Sequence, residues 1–252
     1  MYLLKKLAFA LCLGLLCIAN PLIAQERDTV LVDPSQLNPK VLLEGTHRYL
    51  VYFRMGKEAP RTRFQLWTRI LEHKTHKDKD VISVEQVWEN NDTIIHTARS
   101  LNDSKTMEPY YHESWWKSRG LTVVDFVTGQ FQKDGELLQK NELNPTKKNL
   151  INAFEAAQQS TVFNWHTDLE FFPLLPYELG KVFTIPFYEP GSIPPKLVHY
   201  EVIGESILPG YDGTSIHCWL LFHRDGTSES TYRISKKTKE VLKMEQLING
   251  NM

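Results

Sequence analysis

Asp212-Gly213-Thr214-Ser215-Ile216-His217-Cys218-Trp219-Leu220-Leu221-Phe222-His223-Arg224-Asp225-Gly226-Thr227 is one strand held between two Asp-Gly-Thr turns. Ile216, Cys218, Leu220 and Phe222 alternate with Ser215, His217, Trp219 and Leu221, the period of two that a packed strand requires. Downstream, Glu229 to Ser235 and Glu240 to Leu247 make a further pair around the turn Ser235-Lys-Lys-Thr-Lys239. Upstream, Leu197 to Ile203 opens the run. The C-terminal end therefore reads as an antiparallel meander, which sets the class of the domain as mainly β.

Upstream of that meander the same grammar recurs. Tyr49, Val51 and Phe53 alternate with Arg48, Leu50, Tyr52 and Arg54, and Gly56 to Pro60 turns the chain. Phe64, Leu66 and Ile70 continue the pattern, His73 to Asp80 reads as a charged loop, and Ile82, Val84 and Trp88 mark another strand. Asn90-Asn91-Asp92 is a tight turn before the strand Thr93 to Leu101. After Asn102 to Thr106 come Tyr110, Tyr111, Trp115 and Trp116, then the strand Leu121 to Val127, a turn at Thr128-Gly129 and a hairpin closed by Lys133-Asp-Gly-Glu136.

A change of period follows. Asn144 is an N-cap with Pro145 in the first helical position, and Leu150, Ile151, Phe154 and Ala157 recur at helical spacing. Trp165, Leu169 and Phe172 make a second short turn ended by Pro173 and Pro176, and Val182 to Tyr188 returns to strand with Phe183, Ile185 and Phe187 on one face. No fixed-period repeat and no linker interrupts the order. The expectation is a curled antiparallel sheet of about ten strands, a half-barrel, wrapped around one main helix.

The first residues read as a leader. Lys5 and Lys6 precede an apolar run from Leu7 to Ile18, and Leu22-Ile23-Ala24 offers a cleavage site before Gln25. Asn20 and Pro21 break the run short of the ~20 residues that spanning needs. The organisation read from this is a signal peptide at 1–24 and a single β-rich domain at 25–252, with 25–44 as an N-terminal arm carrying Pro34 and Pro39. Export places the protein in the periplasm, at the outer membrane or outside the cell.

Cys12 and Cys17 fall inside the leader, so Cys218 alone remains afterwards and no intramolecular disulfide can form. Leu16, before Cys17, is unlike the small residue that precedes a lipidated cysteine. Cleavage leaves 27 Lys+Arg against 30 Asp+Glu, a formal charge of −3, which is not the profile of a nucleic-acid binder.

Motifs with chemistry are few. His73-Lys-Thr-His76 has ligand types at close spacing but no third ligand near it, and reads as a solvated turn. His217 and His223 share a strand face roughly 20 Å apart by strand rise, too far for one metal. Ser114-Trp-Trp-Lys117 has the spacing of a serine acyl-transfer motif without its partners, and Cys218 reads as a packed small hydrophobe among Ile216, Leu220 and Phe222. There is no phosphate loop, no Gly-x-Ser-x-Gly and no His-Glu-x-x-His, and neither a catalytic residue, a metal nor a cofactor is assigned.

The stretch from Asp212-Gly-Thr through Cys218-Trp219 to Tyr232-Arg-Ile-Ser-Lys-Lys-Thr-Lys-Glu-Val-Leu-Lys-Met-Glu245 resembles a family of exported Bacteroidetes-type domains of unknown function. Such domains look like the half-barrel lipoprotein carriers LolA and LolB. That resemblance implies an open sheet with a helical lid over an apolar cavity, and no carrier residue transfers onto this chain. The expected function is a non-enzymatic binder or carrier of an apolar or acyl-chain ligand at the cell envelope. An envelope assembly protein with a protein partner is the alternative, and a hydrolase a third reading. The cavity is expected between Phe183, Ile185 and Phe187 of the returning strand and Leu150 and Phe154 of the helix, with Trp115 or Trp116 at its mouth. Expected partners are a lipid or acylated ligand and the outer membrane, touched peripherally.

Overall fold

Short polar breaks between long alternating segments leave the chain no room for anything but hairpins from Gly45 to Leu137. The computed structural model describes residues 28–56, 58–191 and 193–248. In it the strands β2 (Gly45–Phe53), β3 (Thr62–His76), β4 (Lys79–Asn90), β5 (Thr93–Asp103), β6 (Pro109–Trp116), β7 (Gly120–Asp125), β8 (Gln130–Lys133) and β9 (Glu136–Leu137) form an eight-stranded sheet in sequence order. The segment expected to be a charged loop, His73 to Asp80, is strand on both sides of a two-residue turn. His73 pairs with Ile82 and His76 with Lys79, and only Lys77 and Asp78 turn. Both have positive φ, 49° and 63°, the backbone of a primed hairpin turn whose twist matches the flanking strands. Charge obscured a register that the turn geometry sets.

A second, seven-stranded sheet contains β1 (Thr29–Leu31), β10 (Phe163–Asn164), β11 (Val182–Tyr188), β12 (Lys196–Pro209), β13 (Ser215–Asp225), β14 (Ser228–Ser235) and β15 (Val241–Ile248). β11 to β15 follow one another antiparallel, as the turns of the C-terminal end imply. β1 and β10 lie end to end along the free edge of β11, both parallel to it, against Val182–Thr184 and Phe187–Tyr188 respectively. Residues of the N-terminal arm enter the core through this pairing, since Val32, Leu37 and Leu42 are buried there.

The mainly β class stands, whereas the single ten-strand half-barrel around one helix does not. Among the described residues fifteen strands divide between two open sheets, in line with the tendency of large twisted sheets to split and pack. The helix α1 (Pro145–Gln158) is capped as read: Oδ1 of Asn144 accepts from the amides of Thr146 and Lys147 at 3.0 and 3.2 Å. It does not cover the concave middle. Ile151, Phe154 and Ala157 pack with Val124 and Phe131 of β7 and β8, and with Tyr188, in a cluster of their own.

The space between the sheets is filled by the segment after α1. Trp165–Thr167 and Phe172–Leu174 are 3-10 turns on either side of the one-turn α2 (Asp168–Phe171). Phe163, Phe171, Phe172, Leu174 and Leu175 meet Leu71, Ile82 and Val84 of one sheet and Phe183, Ile185, Tyr200 and Tyr232 of the other. Each fully buried large side chain of this kind contributes about 1.5–3 kcal/mol. On β13 the core face is that of Trp219 and Leu221, opposite to the one assigned from Ile216, Leu220 and Phe222. Cys218 is nevertheless fully buried and free, on the other side of the sheet.

The proposed leader and its cleavage site lie outside the described residues. Among the described residues no helix is long and apolar enough to cross a membrane.

Candidate functional site: an aromatic row beside a buried polar cluster

Register decides what the inner face of the eight-stranded sheet displays. Antiparallel pairing lines up three rows across β3, β4, β5 and β6. One is Trp67, Trp88, His96 and Trp116, with Tyr49 of β2 at its end. The next is Arg69, Gln86, Ala98 and Ser114, and the third is Leu71, Val84, Ser100 and His112. A sheet face turned to a core is expected to be apolar. Here its centre is polar, and the partners that satisfy it come from the interposed segment.

Arg69, 2% exposed, donates from Nε to Glu170 Oε1 at 2.9 Å and from Nη2 to Glu170 Oε2 at 2.5 Å. Nη1 reaches Gln86 Oε1 at 3.1 Å, Nη2 the carbonyl of His166 at 2.9 Å, and Asp168 lies 3.6 Å away. The amide of Gln86 also donates to the His166 carbonyl. A guanidinium taken out of water is tolerated only when its donors are met this fully. Tyr49, beside this group, has its phenol pushed far up by burial, with the Glu170 charge adding. Burial likewise lifts the Asp168 carboxyl to about 6, against the pull of Arg69.

Next to this pair stand three imidazoles in file, His96 5.6 Å and His112 4.5 Å from the His166 ring, the planes within 30° of parallel. The amide of His166 donates to Asn164 Oδ1, which fixes the Asn164 side chain. Its Nδ2 then donates to Nδ1 of His112 at 3.0 Å and to Ser100 Oγ at 3.1 Å, and Ser100 Oγ lies 2.9 Å from the same Nδ1. Nδ1 of His112 must therefore accept, leaving its proton on Nε2. His96 is the opposite tautomer, because Nδ1 donates to the carbonyl of Trp115 at 3.0 Å. Neither Nε2 has a protein partner.

Burial drives the imidazole of His96 down to about 4 and that of His112 to about 3, and holds His166 well below its ordinary value. The neighbouring rings and Arg69 add to the effect. All three are neutral at pH 7. Stacked rings point their nitrogens along parallel planes, not at one centre, and among the described residues no group of three ligand side chains is placed to hold a metal.

The aromatic row is different in being half-open. Trp67 and Trp88 stack at 3.8 Å and 8°, Trp116 stands edge-on to Trp88 at 5.3 Å, and His96 stacks on Trp116 at 3.8 Å. All three indoles are partly exposed. Arg119, in the turn after β6, sets its guanidinium 5.4 Å from the Trp116 ring, and Gln65 accepts from Trp67 Nε1 at 2.9 Å. Trp165, at the start of the interposed segment, packs edge-on against His166 and is itself exposed. The arrangement offers flat apolar rings with a cation at their margin.

Of the residues assigned to a ligand cavity, Phe183, Ile185 and Phe187 come together in the main core, at most 3% exposed. Phe154 and Leu150 belong to the separate cluster under α1, so the two groups do not face each other across one space. Trp115 and Trp116, adjacent on β6, point to opposite faces: Trp116 joins the aromatic row and Trp115 lies on the outside of the sheet at 37% exposure. Ser114 is buried on a strand and does not open a helix. His73 and His76 are paired strand residues, and His223 packs on Tyr200 while His217 stays exposed.

Sequence reasoning missed Arg69, Gln86, His96, Ser100, His112, Asn164, His166 and Glu170. The first five left a signal, polar side chains at alternate positions of otherwise apolar strands, as in Trp67-x-Arg69-x-Leu71. Their partners left none, being supplied from 52 to 101 residues away.

A family model described as protein of unknown function, DUF3108, matches residues 48–252. The chain belongs to that family. The match takes in every strand from β3 onward, the interposed segment and both halves of the buried cluster, and leaves out β1 and the arm. No curated protein and no solved structure matches the chain.

Proposed function

We propose that this member of the family is an exported, non-enzymatic binder or carrier at the bacterial cell envelope, and that it takes an apolar or acyl-chain ligand on the row Trp67, Trp88 and Trp116. The observation that carries the reading is the row itself. Two stacked indoles and a third set edge-on to them form one surface that is left half-open, although the apolar core beside them is closed. Indole faces bind methylene chains through area alone, and Arg119 at the margin suits a carboxylate or phosphate head group. On this reading the ligand lies against the sheet beside the interposed segment and not beneath α1. The Ser100, His112 and Asn164 constellation supports the non-enzymatic part, because all three are fully buried and no substrate reaches them.

Tryptophan emission tests this. Titration with a long-chain fatty acid or a lysophospholipid is expected to shift or quench it. Trp116→Ala and Trp88→Ala are expected to weaken the response at least tenfold, and Trp115→Ala, on the other face, to leave it intact. Unchanged emission with fatty acids, phospholipids and acylated peptides, in protein that carries no lipid by native mass spectrometry, would sink the reading.

A further inference from the structure

β2 and β3 do not end where the sheet ends. β4 pairs with β3 only from Asn90 opposite Gln65, whereas β2 and β3 continue to Phe53 opposite Thr62. Residues 51–56 and 58–64 thus project as a two-stranded finger beyond the neighbouring strand. A lone hairpin is marginal in water and gains nothing by displaying large apolar side chains. This one displays Leu50, Phe53, Met55, Phe64 and Leu66, with Met55 83% exposed. Tyr52 and Phe64 meet on one face at 6.3 Å, and Arg61 lies over the Tyr52 ring at 4.6 Å.

The finger is also basic. From Arg48 to Phe64 the sequence holds five basic residues, Arg48, Arg54, Lys57, Arg61 and Arg63, against one acidic residue, Glu58, in a chain whose formal charge is −1. Exposed rings and a methionine interleaved with arginines match the boundary of an anionic bilayer, where apolar groups enter the acyl region and guanidinium groups stay at the phosphates. A second copy of this chain fits poorly, since a two-fold contact would set arginines against arginines.

We infer that the β2–β3 finger docks the protein on an anionic phospholipid surface, Phe53, Met55 and Phe64 entering the interface and Arg61 and Arg63 holding head-group phosphates. Docking stands apart from ligand binding. It uses the hairpin beyond Gln65, while the aromatic row begins at Trp67 within the sheet, and either reading can fail without the other.

The test is co-sedimentation of the exported protein, its N-terminus checked by mass, with phosphatidylglycerol/phosphatidylcholine vesicles and with pure phosphatidylcholine vesicles. Binding is expected only to the anionic vesicles. Each arginine near such a surface is worth about 1 kcal/mol, so Arg61→Gln with Arg63→Gln should lower the partition coefficient roughly 30-fold. Met55→Ser with Phe53→Ser should lower it as well, with far-UV circular dichroism unchanged. Ile207→Ser, an exposed apolar position on β12 of the other sheet, should not alter it. Equal binding to both vesicle types, as a retained apolar leader would give, or variants that bind like the parent, overturns the inference. So does binding to heparin that matches binding to the vesicles and is indifferent to Phe53→Ser with Met55→Ser.

Discussion

The guanidinium of Arg69 and the carboxylate of Glu170 meet fork to fork, 101 residues apart in sequence and nearly sealed from solvent. Their pairing fastens the interposed segment onto the sheet. α2 and the turn before it bring Asn164, His166 and Phe171 into place with it.

Removing one partner leaves the other charge buried. Arg69→Met and Glu170→Gln are each expected to destabilise the protein by about 3–5 kcal/mol, whereas Arg69→Met with Glu170→Leu should cost less than either alone. Urea unfolding at pH 7 reads this directly. A double variant as unstable as the sum of the singles means the pair is not one unit.

Stability should fall in mild acid. His96, His112 and His166 are held neutral by burial, so below their unfolded value of 6.5 the unfolded chain takes protons that the folded one refuses. Their contribution is present above pH 6.5 and is lost as pH falls toward about 4 for His96 and about 3 for His112. Asp168 works the other way. Its carboxyl is raised to about 6, so its contribution is complete below 3.8 and disappears as pH rises through 6. Three groups against one leave a net loss on acidification, at most roughly 2–3 kcal/mol per pH unit between pH 6 and 4. Urea midpoints at pH 7, 5.5 and 4.5 measure it, and a flat profile would show that the imidazoles are already charged in the fold.

Cys218 should react with a thiol reagent slowly in the folded protein and fast in denaturant, because burial covers the thiol and raises its pKa. Cys218→Ala is expected to leave ligand binding and vesicle binding unchanged. Equal rates in the two states would place the sulfur at the surface.

How much of this was legible follows from the distance over which each feature is determined. Strands and turns are local, so Val182–Tyr188, the Asn144 cap and the Asp-Gly-Thr hairpins could be read from neighbouring residues. The turn at Lys77 and Asp78 was hidden because lysine does not advertise a positive φ as glycine or asparagine would, and Asp78, which tolerates one, stands in a run of charged residues. The faces of β13 were harder, since Cys218, Leu220 and Phe222 are as apolar as Trp219 and Leu221, and only the other sheet decides which set turns inward. The division into two sheets and the polar centre were out of reach. Both depend on where residues 163–175 settle, and an isolated reading of Glu170 as a surface acid was as consistent with the sequence as its bond to Arg69.

The parallel seat of β1 on β11 has a temporal side. Thr29 pairs with Val182, so the strand made first waits for a partner about 150 residues behind it. At 5–20 residues per second that interval is roughly 8–30 s, during which Val30, Leu31 and Val32 have no edge to join. The same holds for any passage of the chain through a pore from its N-terminus. Completion of the second sheet is therefore a late event, set by the arrival of β11 and not by the synthesis of β1.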